Sequence, residues 1–66
     1  MRTTTKKIAV DIVALNKVPA ERRSSDWRTA KGLLEEAAGF IKLGNDVMAE
    51  QMRQAAAPYL RFAELV

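Results

Sequence analysis

The chain has 66 residues, 48% of them apolar, and carries a formal net charge of +3. That length suits one small domain, and the apolar share favours folding over disorder. Cysteine and histidine are both absent, which excludes disulfides, thiolate or imidazole metal sites, and the commonest general base.

A core of this size supplies only about 3–5 kcal/mol, so association with another chain is the expected extra support. The charge is uneven: residues 1–31 hold eight Lys/Arg against three Asp/Glu, and residues 32–66 hold three against five. A basic half can meet nucleic acid or an acidic protein surface. It can equally lie beside the acidic half within a small oligomer.

Residues 3–15 read two ways. Thr, Val and Ile favour a strand, and Ile8, Val10 and Ile12 alternate. Ile8, Ile12 and Leu15 also share one helical face, with Val18 near the same line and a threonine from Thr3–Thr5 available as a cap. A lone strand leaves its backbone groups unpaired. The helix is therefore the preferred reading within one chain, and a strand the better one if two chains pair there. Residues 16–25 form a connector. Pro19 disfavours helical geometry at Val18, and Ser24 or Ser25 is a natural N-cap with Asp26 behind it.

A helix is predicted from about 26 to 43. Trp27, Ala30, Leu34, Ala37 and Ile41 recur at +3, +4, +3 and +4. Leu33, Ala38 and Phe40 widen that stripe, with Arg28, Lys31, Glu35 and Lys42 opposite. Gly32 and Gly39 weaken the helix by about 1 kcal/mol each relative to alanine; they serve either a close helix–helix approach or nothing. Gly44 and Asn45 then make a tight turn. Glycine reaches the left-handed conformation at C′, and asparagine caps the next helix.

The last helix is predicted from about 46 to 65. Met48, Met52, Ala55, Tyr59, Phe62 and Val66 form a heptad-like seam, flanked by Ala49, Ala56 and Ala63. Pro58 lacks an N–H and clashes with the Gln54 carbonyl, so a kink or break is expected between 54 and 58, or a separate helix starting at Pro58.

The expected fold is all-α: one domain over 1–66, with an N-terminal segment and connector (1–24) and an antiparallel helical hairpin (25–66). The two helices alone would leave much of Trp27, Leu33, Phe40, Met48, Tyr59 or Phe62 wet. Leu33, Leu34, Phe40, Ile41, Met48, Met52, Tyr59 and Phe62 are thus the candidates for core or dimer packing, and a homodimer with a four-helix arrangement is expected. The structural rival is a monomeric bundle in which the N-terminal segment covers that surface.

No catalytic or metal-binding residue is assigned. Glu35, Glu36 and Glu50 fit a solvated helix face better than an acid/base pair, and the hydroxyls have no histidine to activate them. No phosphate-binding glycine motif occurs. No cofactor is expected. Arg22-Arg23-Ser24-Ser25 matches a basic-directed phosphorylation site, but helix capping explains the serines better. Arg22, Arg23, Trp27, Arg28 and Lys31 are the candidate partner-binding patch, because arginine and tryptophan are enriched at hot spots.

The functional expectation is a non-enzymatic protein-binding module, an adaptor or inhibitor, acting as a homodimer in the cytoplasm and not in a membrane. The alternative is a small DNA-binding regulator using the basic N-terminal half. Arg2, Thr4 and Lys6 alternate as in the strand of a ribbon-helix-helix regulator, yet the first clear helix begins near Ser25, far from that strand.

Overall fold

The computed structural model describes residues 3–62, with side-chain surroundings described for 4–60. Within these residues the chain is all-helical, with α1 at Thr3–Asn16, a 3-10 turn at Ala20–Arg22, α2 at Ser25–Lys42 and α3 at Asp46–Phe62. Arg2 and residues 63–66 of the predicted last helix lie outside the described residues, as do the side chains of Arg61 and Phe62.

The N-terminal segment is the helix, not the strand. Ile8 and Leu15 are buried and Ile12 packs against them, whereas Val10, which a strand would place beside Ile8 and Ile12, is 63% exposed. A helix satisfies its own backbone groups, which a lone strand cannot. Beyond Asn16 the Lys17 and Val18 N–H groups still bond the carbonyls of Ala14 and Leu15, both at 3.2 Å. Pro19, at φ −58° and ψ 146°, then redirects the chain.

Ser24 starts α2. Its Oγ accepts from the Trp27 N–H at 3.2 Å, and Asp26 stands in the first turn. The predicted seam is the buried one: Trp27, Ala30, Leu34 and Ala37 are buried, with Ile41 packed beside them. Gly32 and Gly39 serve no close approach, since a Cβ at either position would meet open space.

The link to α3 is a Schellman turn. Gly44 has φ +76°, its N–H bonds the Ile41 carbonyl at 3.0 Å, and the Asn45 N–H bonds the Phe40 carbonyl at 2.8 Å. Asn45 then caps α3, its Oδ1 accepting from the Met48 N–H at 3.2 Å. One residue thus closes one helix and opens the next.

The seam of α3 differs from the predicted one. Ala49, Ala56 and Leu60 are buried, Met48, Met52 and Tyr59 are half-buried, and Ala55 is exposed. The helix is turned so that its small residues, not its large ones, lie deepest. Ala49 and Ala56 repeat the seven-residue spacing of Ala30 and Ala37, and all four are fully buried. Small side chains at such positions let helix axes come close, and α2 with α3 share the most extensive contact. The helix runs unbroken through Pro58, so of the expected kink, break or separate helix the last two do not occur. Gln54 and Pro58 are both exposed, so water can serve the carbonyl that proline leaves without a donor.

Helix α1 contacts both α2 and α3. Its Ile8 and Leu15 join Trp27 and Leu34 in one core. Trp27 is only 6% exposed as a result, and Leu33, Phe40, Met48 and Tyr59 are half-buried. Helix α1 thus covers part of the surface that the sequence assigned to a second chain, Trp27 above all.

Candidate functional site

The basic patch predicted around Trp27 is a joint between α1 and α2. The last carbonyls of a helix lack the usual partner within it, and here Arg23 of the connector and Trp27 of α2 donate to carbonyls at and just past the end of α1. The Trp27 Nε1–H donates to the Leu15 carbonyl at 2.7 Å. Arg23 donates through Nε to the Val18 carbonyl at 2.9 Å and through Nη2 to the Asn16 carbonyl at 3.4 Å. A guanidinium at a helix C-terminus also favours the helix dipole.

The Arg23 guanidinium carbon lies 4.4 Å from the Trp27 ring centroid, and the Lys31 ammonium 5.1 Å from it, both within cation–π range. Arg22 and Arg28 are exposed. The structure thus brings Arg23, Trp27 and Lys31 together, with the indole buried and its N–H engaged inside the chain. Trp27 has no free face with which to anchor a partner.

A second polar cluster joins α1 to α3. Thr4 Oγ1 donates to Glu50 Oε1 at 2.8 Å. Arg53 grips the same carboxylate with Nε to Oε1 at 3.0 Å and Nη2 to Oε2 at 2.7 Å, and Gln54 Nε2 adds a bond to Oε2 at 2.9 Å. Four donors favour the ionised form, and Arg53 above all, then Thr4 and Gln54, lowers the Glu50 carboxyl to about 2. Such a group stays charged at neutral pH and is a tie, not a proton donor. Among the described residues no group of three or more His, Cys, Asp or Glu could hold a metal ion. No helix of those residues is long and apolar enough to cross a membrane.

The surface that sequence reasoning missed is the outer side of α1. Val10 and Val13 are 63% and 53% exposed, and Lys6 and Lys17 are exposed too. These four recur at +4, +3 and +4; Lys6, Val10 and Val13 share one line along α1, and Lys17 continues it one residue past the helix. Ala9 and Ala14 flank them and line a shallow depression with Val10, Val13 and Lys17. Ala9 also borders an apolar cleft between α1 and α2 formed with Ile8, Ile12, Ala38 and Ile41. The clue in the sequence was that α1 carries apolar residues on both sides, more than one buried stripe requires.

The ribbon-helix-helix geometry does not form, because residues 3–16 are helical and the Thr4 hydroxyl faces Glu50. No family model, no curated protein and no solved structure matches the chain.

Proposed function

We propose that the protein is a non-enzymatic protein-binding module, an antiparallel α2–α3 hairpin with α1 laid across it, that docks onto its partner through the outer face of α1. The observation that carries this reading is the exposure of Val10 and Val13 on a helix whose opposite side is already buried. Val10 and Val13 lie side by side on this face and form a small apolar patch that a partner can cover. The absence of histidine and cysteine supports binding over catalysis.

Replacing Val13 by the photoreactive residue p-benzoylphenylalanine in the source cell tests it. Glu35, on the exposed side of α2, provides the control position. A discrete adduct from position 13 and none from position 35 is the expected result. Equal labelling at both, or none at either, overturns the reading.

A homodimer with a four-helix arrangement is the second reading. It is favoured by Leu43 and Val47, four residues apart at the α2–α3 link and 80% and 70% exposed, which a second copy would cover. Light scattering of the chain and its Leu43→Asp variant decides this: a dimer mass lost in the variant supports it, and a monomer mass at high concentration removes it.

A further inference from the structure

We infer that the outer face of α1 takes an acidic amphipathic helix of a partner protein, with carboxylates placed to meet Lys6 and Lys17. The inference rests on the reading of α1 as the docking surface and names its occupant. The face is an apolar centre, Val10 and Val13, between two lysines, with Ala9 and Ala14 at its sides. Lys6 and Val10 also line a second depression with Lys7 and the Arg53 side chain, where Asp11 is the one acidic group. Asp11 is close enough to Arg53 to act on its charge, and the two charged residues on the line itself, Lys6 and Lys17, are both basic.

That charge pattern argues against self-pairing. Lys6 stands as far from Val10 as Lys17 stands from Val13. An antiparallel copy that set Val10 against Val13 would therefore set Lys6 against Lys17, and a parallel copy would set each lysine against itself. Like charges in direct opposition disfavour either pairing. A lipid surface is a poorer match, because shallow alanine and valine offer little of the bulky apolar reach that interfacial helices use. A phosphate backbone can meet the two lysines but offers no apolar side chain to cover Val10 and Val13.

A helix with two apolar residues three apart, each followed outward at four residues by Asp or Glu, complements every feature. Lys6 and Lys17 are separated along the axis by about 16 Å at 1.5 Å per residue, which sets the spacing of the partner's carboxylates. The 4-3-4 spacing reads the same in both directions, so the four-residue line accepts a helix of either polarity. Small flanking alanines permit a close approach.

The test titrates the full chain with alanine-based helical peptides that carry two leucines three residues apart. The positions four residues outward are Glu, Gln or Lys in the three versions. The Glu peptide is expected to bind best, by about fivefold over the Gln peptide, and the Lys peptide worst. The Lys6→Glu/Lys17→Glu variant, checked for retained helix content by circular dichroism, is expected to reverse that order. Both lysines are exposed; should the variant nonetheless unfold, the order of the peptides on the wild-type chain decides.

Equal binding of the three peptides overturns the acidic partner and leaves the docking face standing. No binding of any overturns both. Tighter binding of phosphatidylglycerol vesicles or duplex DNA than of the Glu peptide overturns the inference in favour of that class. Self-association that displaces the peptide does so in favour of a second copy.

Discussion

The indole N–H of Trp27 donates to the carbonyl of Leu15 at 2.7 Å, across the connector that separates α1 from α2. This bond and the Arg23 bonds beside it tie the C-terminal end of α1 to the start of α2. The orientation of α1 in turn decides which of its apolar residues face water.

Trp27→Phe keeps most of the ring and removes the donor. It is expected to lower stability in urea unfolding by about 1–2 kcal/mol. Arg23→Ala should lower it by roughly 1 kcal/mol through lost capping and ring contact. The two changes should be non-additive in a double-mutant cycle, because Arg23 stacks on the residue that Trp27→Phe alters. Strict additivity would mean that the joint is not a unit.

Glu50 predicts a dependence on pH. Its carboxyl is lowered in the folded state to about 2, while the unfolded value stays near the ordinary ~4.3. The unfolded chain therefore binds the proton first, and stability falls as pH drops from about 5 toward 2. Above that window the contribution is fully present. Glu50→Gln should flatten the acid limb of a stability–pH profile, and Thr4→Val should make it shallower, since Thr4 supplies one of the four donors. An unchanged acid limb in Glu50→Gln would contradict the assignment.

The glycines should respond with opposite signs. Gly32→Ala and Gly39→Ala enter open space on α2, so each should raise stability by about 1 kcal/mol. Gly44→Ala has equal space but a φ of +76°, so it should lower stability by about 1 kcal/mol. Thermal or urea melts of the three variants check this, and destabilisation by the first two would show a packing role that the geometry lacks.

Much of this was legible in the sequence. Ser24, Gly44 and Asn45 punctuate the helices as residues of their kind should, because caps and turns depend on local chemistry. The α2 seam from Trp27 to Ile41 was legible because its apolar stripe has one phase. The α3 seam was not. Met48, Ala55 and Tyr59 form a regular line, yet Ala49 and Ala56 lie deepest. Size alone ranked methionine above alanine, whereas the depth of a seam depends on how closely the facing helix approaches. Pro58 allowed a kink, a break or a new helix start, and the helix continues through it. The outer face of α1 was hidden because residues 3–15 read two ways: a strand puts Val10 beside Ile8 and Ile12, whereas the helix buries Ile8 and Leu15 and leaves Val10 exposed.

Changes on that outer face should leave the fold intact. Val13→Ser is expected to shift stability by no more than about 0.5 kcal/mol, as for other exposed sites, while weakening binding of the Glu-flanked peptide. Loss of stability beyond that would mean that Val13 packs inward.

The most direct measurement is an amide chemical-shift map of the isotopically labelled chain titrated with the Glu-flanked peptide. The predicted result is perturbation concentrated at Lys6, Val10, Val13 and Lys17 and their neighbours on α1. Perturbation centred on Arg22–Lys31 or on Leu43–Val47, with α1 unmoved, would contradict the account.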